Sequence, residues 1–247
     1  MRSKFACGLL AAASIAIASP ALADPITLGS GDIGSSFTID FDGFANSPTN
    51  TVDNLTSSIT FTLEGVTGSA YTFGYLVDNT TGGGLTSNIS SFAFNVDPDI
   101  TAATSTGDYS FAFVTDGQGS DPSYPNQIGA VDVCFKAANS GSCSNSGGIS
   151  EGQSGSGTLS LLFGSDVSEI TLSDFFVRYQ GISGAGDVTS ASGQSTTSSG
   201  STTSSTSSGT QVPAPGAIGL LGLALLGLGL ARRRRKLSTG EMQPAFA

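Results

Sequence analysis

The chain has 247 residues, no His, no Trp, only 11% charged residues and a formal net charge of −10. Without His there is no Ser-His-Asp or Cys-His nucleophile and no zinc site of the usual kinds. The nine basic residues are segregated to the two ends except Lys136 and Arg178, so the middle of the chain carries −16, which disfavours nucleic acid as a partner.

Residues 1–23 have the three parts of a secretory leader. Arg2 and Lys4 form the positive start, an apolar stretch runs from Phe5 to about Ala18, and Ala21-Leu22-Ala23 is an A-x-A cleavage site preceded by Pro20. Cleavage is expected between Ala23 and Asp24. Cys7 leaves with the leader, so the exported chain keeps one pair, Cys134 and Cys143, in an oxidising compartment. In the run Val131 to Lys136, alternation places Val131, Val133 and Phe135 on one face and Cys134 on the outer face with Asp132 and Lys136. From there Cys134 can reach Cys143 across a short loop. The competing arrangement, two free thiols or half of a metal site, lacks any His or further Cys to complete it.

Residues 24–188 repeat with a period of two, the period of a strand. Phe37, Ile39 and Phe41 alternate with polar residues, as do Ile59, Phe61 and Leu63, and Tyr71, Phe73, Tyr75 and Val77. The pattern continues through Phe92, Phe94 and Val96, through Tyr109, Phe111 and Phe113, and through Leu159, Leu161 and Phe163. It ends with Phe175, Val177 and Tyr179, which have Phe176 and Arg178 on the opposite face. Clusters such as Thr81-Gly82-Gly83-Gly84 and Asp116-Gly117-Gln118-Gly119 supply the turns. The expected fold is all-β, an antiparallel β-sandwich of the jelly-roll kind with nine or ten strands, its aromatic stripes packed as core.

Inside this domain the chemistry is sparse. No phosphate-cradling loop joins a strand to a helix. Paired carboxylates for hydrolysis would have to come from Asp residues or from Glu64, Glu151 and Glu169, each in a turn or strand-edge context. Asp40-Phe41-Asp42-Gly43 starts like a calcium loop, but Phe44 and Thr51 occupy positions that need oxygen ligands. Asp97, Asp99, Asp116 and Asp121 place hard oxygens in loops and are the candidate calcium ligands. No catalytic residues and no organic cofactor are expected, so the domain reads as non-enzymatic.

From 189 to 211 the sequence is almost wholly Ser, Thr and Gly, the composition of a flexible linker open to O-glycosylation. Val212-Pro213-Ala214-Pro215 follows, then an apolar run over 216–231. Arg232, Arg233, Arg234, Arg235 and Lys236 come next, and a short polar tail covers 237–247. At about 1.5 Å per residue the apolar run makes a transmembrane helix of roughly 24 Å, a marginal span, and the cations hold its far end in the cytoplasm.

Pro-x-Pro, a Leu/Gly-rich span and a terminal Arg cluster, in that order over 212–236, resemble the PEP-CTERM sorting signal of Gram-negative bacteria. Ala214 stands where that family usually has Glu, and residues 237–247 extend past its usual end. The resemblance implies an exosortase and the export machinery as partners, processing near the Pro-x-Pro motif during passage through the inner membrane, and delivery to the cell surface or extracellular matrix. The domain is also similar to the cistern branch of these proteins at Ser36 to Phe44, Ser91 to Ile100, Val131 to Cys143 and Asp174 to Gln180. The implied role is structural, in the envelope, biofilm or exopolysaccharide. The alternatives are a glycan- or calcium-binding module on a plain membrane anchor and, more remotely, a secreted hydrolase.

Overall fold

Apart from Tyr109, which lies in a turn, the residues of the alternating runs are in strands or directly beside them. The computed structural model describes residues 25–114, 122–139, 143 and 146–201. The strands are β1 (Ile26–Gly29), β2 (Ser36–Phe44), β3 (Thr51–Thr67), β4 (Ala70–Asn79), β5 (Thr86–Asp97), β6 (Ile100–Ser105), β7 (Phe111–Val114), β8 (Ser123–Tyr124), β9 (Gly129–Ala130), β10 (Val133–Lys136), β11 (Ile149–Ser150), β12 (Ser154–Phe163), β13 (Glu169–Ser183) and β14 (Ser190–Ser201). The count exceeds the nine or ten expected because β8, β9 and β11 are only two residues long and because β14 lies in a segment expected to be linker. Among the described residues, helix is confined to two three-residue 3-10 turns, at Ser30–Asp32 and Gly107–Tyr109.

Apart from the small β8–β9 pair, the strands form one antiparallel sheet in the order β6-β12-β4-β3-β2-β14-β13-β5-β10-β7, with β1 added to β13 and β11 to β5. β3 and β5 stand four places apart in that order, which in a flat sheet would separate them by about 19 Å. Yet the Phe61 ring of β3 lies 5.9 Å from Phe92 and from Phe94 of β5. The sheet is therefore folded over on itself, and its inner face closes around one aromatic core. The two sheets of a jelly roll are replaced here by a single, nearly closed ladder.

The inner stripes are those the alternation indicates. Phe37, Ile39, Phe41, Ile59, Phe61, Leu63, Tyr71, Phe73, Tyr75, Val77, Phe92, Phe94, Leu159, Leu161, Phe175, Val177 and Tyr179 are all buried in the main core. Outside, neutral hydroxyl pairs bridge neighbouring strands. Thr38 and Thr60 are 2.8 Å apart, Ser36 and Thr62 2.7 Å, and Thr72 and Ser160 2.9 Å. Cross-strand pairs of this kind stabilise a sheet without charge, which gives the Ser- and Thr-rich, charge-poor composition its structural use.

Three expectations change. The linker predicted to begin at residue 189 is instead strand through Ser201, and β14 lies between β2 and β13 rather than beyond the domain. It fits because its side chains are small. A Cβ at Gly193 would lie 2.6 Å from Val177 Cγ2 and 2.9 Å from Tyr179 Cε2. Ladders to β13 and β2 then offset the ordering entropy that the composition alone suggested would win. The span 202–236, including the remaining linker and the expected transmembrane helix, lies outside the described residues.

The second change is at Tyr109, Phe111 and Phe113. The Gly107–Tyr109 turn breaks the phase, so Tyr109 is in the core while Ala112 and Val114, not Phe111 and Phe113, pack against it. Third, Val133 and Phe135 face the core, but Val131 precedes β10 and joins a second, smaller cluster on the outer face.

Candidate functional site

Two bulges decide which side chains reach that outer face. In β13, Asp174 adopts φ 50° at a register shift, so Leu172 and Phe175, three residues apart, both turn inward. In β5 the register passes from Arg178↔Ser91 to Tyr179↔Ile89, leaving Ser90 as the extra residue. Phe176, Arg178 and Ser91 consequently point outward.

They do not meet solvent. The 122–131 segment, carrying β8 and β9, and Cys143 cover this part of the outer face. Ala93, Tyr124, Val131, Cys134 and Cys143 form its buried cluster, with Phe113, Ile128 and Phe176 against it. Cys134 and Cys143 are joined as a disulfide, with Cα atoms 6.1 Å apart. Ser91 Oγ donates to the Cys143 carbonyl and accepts from the Tyr124 hydroxyl at 2.7 Å. Asn126 Nδ2 donates to Ser192 Oγ at 3.0 Å, tying the cover to β14.

Both cations of the middle region lie here. Lys136 is buried with its Nζ 5.1 Å from the centre of the Phe113 ring, and burial lowers its pKa. Arg178 is 6% exposed, and Nη1 reaches Ser192 Oγ at 3.5 Å while Nε has no hydrogen-bond partner. Burial lowers its pKa too, opposed by the nearby Tyr124.

Beside this face the ladder stops. The end strands β6 and β7 flank an open seam containing a cleft of about 480 Å³ lined by Thr104, Ser105, Ser110, Phe111, Phe113, Lys136 and Asn139, among others. A second cleft of about 400 Å³ lies among the loops at Val52, Asp53, Asn54, Gly83, Leu85 and Gly184. The seam combines half-buried rings, hydroxyls, an amide and an ammonium, a lining able to hold a neutral or anionic polar ligand.

The candidate calcium ligands are only partly in view. Asp97 ends β5 and Asp99 lies in the turn before β6, both exposed, while Asp116 and Asp121 lie outside the described residues. Among the described residues no three His, Cys, Asp or Glu side chains converge on a metal-sized site. Several acids are used locally as backbone acceptors. Asp132 takes the Val96 N–H at 2.8 Å, Asp108 that of Ser156 at 2.7 Å, and Asp32 that of Gly29 at 2.8 Å. Glu64 lies within β3, Glu151 accepts the Ser87 N–H at 3.3 Å, and Glu169 opens β13.

Tyr124, Asn126, Ser91 and Ser192 escaped the sequence reading. No periodicity marks 122–131, and nothing in the sequence says that it folds back over β5 and β13. Leader cleavage at Ala23 and Asp24, and the residues Val212, Pro213, Ala214, Pro215 and Arg232 to Lys236, lie outside the described residues.

The all-β domain with its disulfide is followed, with ten residues intervening after Ser201, by the Pro-x-Pro, apolar and basic tripartite tail that begins at Val212. Residues 211–236 match the family model of the PEP-CTERM protein-sorting motif, the tail that marks an exosortase substrate. No curated protein and no solved structure matches the chain.

Proposed function

We propose that the protein is delivered to the outer surface or extracellular matrix as a folded β domain after exosortase processing near Val212 to Pro215, and that its role there is structural or adhesive rather than enzymatic. The sorting-motif match at 211–236 carries this reading. The export leader and the oxidised pair Cys134–Cys143 support it, since disulfides persist outside the cytosol. The apolar run holds the chain in the inner membrane until processing, and the five cations stop it there. Placement within the cistern branch, and a contribution to biofilm or exopolysaccharide, belong to this proposal.

The test is fractionation in a host with and without its exosortase. The proposal expects the domain on the surface or in the medium when the enzyme is present, and inner-membrane retention when it is absent. Identical fractions in both hosts would reduce the tail to a plain anchor.

The seam cleft favours a second reading, a module that binds a saccharide. Rings such as Phe111 and Phe113 pack against sugar faces, while Asn139, Ser110 and Lys136 offer polar contacts. A shift in the intrinsic fluorescence or melting temperature with host exopolysaccharide, lost in Phe111→Ala, would support it. No shift at saturating polysaccharide would remove it.

A further inference from the structure

We infer that β14 is an exchangeable strand through which neighbouring copies of this chain link to one another. Among the described strands, β14 is the one that joins two blocks of the sheet, β6-β12-β4-β3-β2 on one side and β13-β5-β10-β7 on the other. It is held by backbone pairing, from Ser192↔Phe44 to Ser201↔Ser36 on β2 and from Phe176↔Gln194 to Gln180↔Ser190 on β13. Of its described side chains, only Ala191 belongs to the apolar core. The slot between β2 and β13 selects for small residues, because Val177, Tyr179 and Phe41 close over Gly193.

Among the described residues β14 is also the last strand of the sheet. A chain exported from its N-terminus exposes both walls of the slot before its own β14 emerges. In that interval any copy's β14 fits equally well, and the choice depends on local concentration. The loop from 184 to 189 is the hinge, with Gly184 at φ 87° and Gly186 at φ 63°. This inference rests on the sorting reading in one respect: delivery to one membrane surface sets copies side by side. A strand passed from copy to copy makes a linear array, and a reciprocal exchange makes a dimer.

The experiment uses full-length chains carrying single cysteines at the register pair Asp42 and Gln194. Asp42→Cys and Gln194→Cys chains are co-exported in a host without exosortase and treated with a short thiol cross-linker. Exchange yields mixed dimers several-fold above those from Gln194→Cys paired with Leu76→Cys, an exposed position on β4. Mixed dimers no more abundant than in that control, with the double variant cross-linking within one chain, would overturn exchange. A double variant that cross-links neither within one chain nor between chains would overturn the seating of β14 itself. Tail processing plays no part in this readout, so failure of the sorting reading shows separately.

Discussion

Lys136 and Arg178 stand in one register row, both opposite Ser91 of the strand between them. In a protein whose other cations lie in the leader and tail, the two are thus about 10 Å apart on one covered face. Ser91 between them bonds Tyr124 and the Cys143 carbonyl, so the row is roofed by the disulfide-tethered cover.

Arg178 bears the cost of this roof, with Nε unpartnered. A buried donor without an acceptor costs about 1–3 kcal/mol. Arg178→Met keeps the volume and removes the donors, and is expected to raise stability by about 1 kcal/mol, read as a higher urea midpoint at unchanged m-value. A drop of similar size would show that the guanidinium is a net stabiliser.

The Cys134–Cys143 bridge spans a sequence separation of 9. Closing so short a loop stabilises by roughly 2–3 kcal/mol in the chain-entropy model. Cys143→Ser is expected to lose that amount, and reductant should do the same to the natural chain in denaturant titrations.

Gly193→Val would drive its Cβ into Val177 and Tyr179. Overpacking of this kind costs about 1–3 kcal/mol. Gly31→Ala, where a Cβ meets nothing within 4 Å, is the control and should stay within about 0.5 kcal/mol. A Gly193→Val chain as stable as the control would place β14 outside the sheet.

All five tyrosines are buried and hydrogen-bonded, and burial raises the pKa of each above 10.0. Above that value the unfolded chain releases phenolic protons that the native chain keeps, so the unfolded state binds fewer protons and stability falls as pH rises. Below it this contribution is fully present. Tyrosinate absorbance should therefore appear late and together with loss of the β-sheet circular dichroism. Titration of the phenols near 10 with the sheet intact would contradict their burial.

Much of the inner face was legible because alternation survives in any half-buried strand. Phe37, Ile39 and Phe41 needed no knowledge of partners. Residues 190–201 were opaque for the opposite reason. Small polar side chains give no period, and whether Gly193 belongs in a strand depends on Val177 and Tyr179 standing over it. Phase was lost at Tyr109 because a single 3-10 turn shifts every later residue to the other face. The disulfide could be read from an even cysteine count, whereas the cover over Arg178 depends on long-range packing of 122–131 that has no local signature.

Intact-mass measurement of the protein recovered from the surface of a host with an exosortase tests the central claim most directly. The account predicts a chain that starts at Asp24, stops near Gln211 before the apolar run, and is lighter by two hydrogens than its reduced form. A mass that retains Arg232 to Ala247, or the leader, would contradict it.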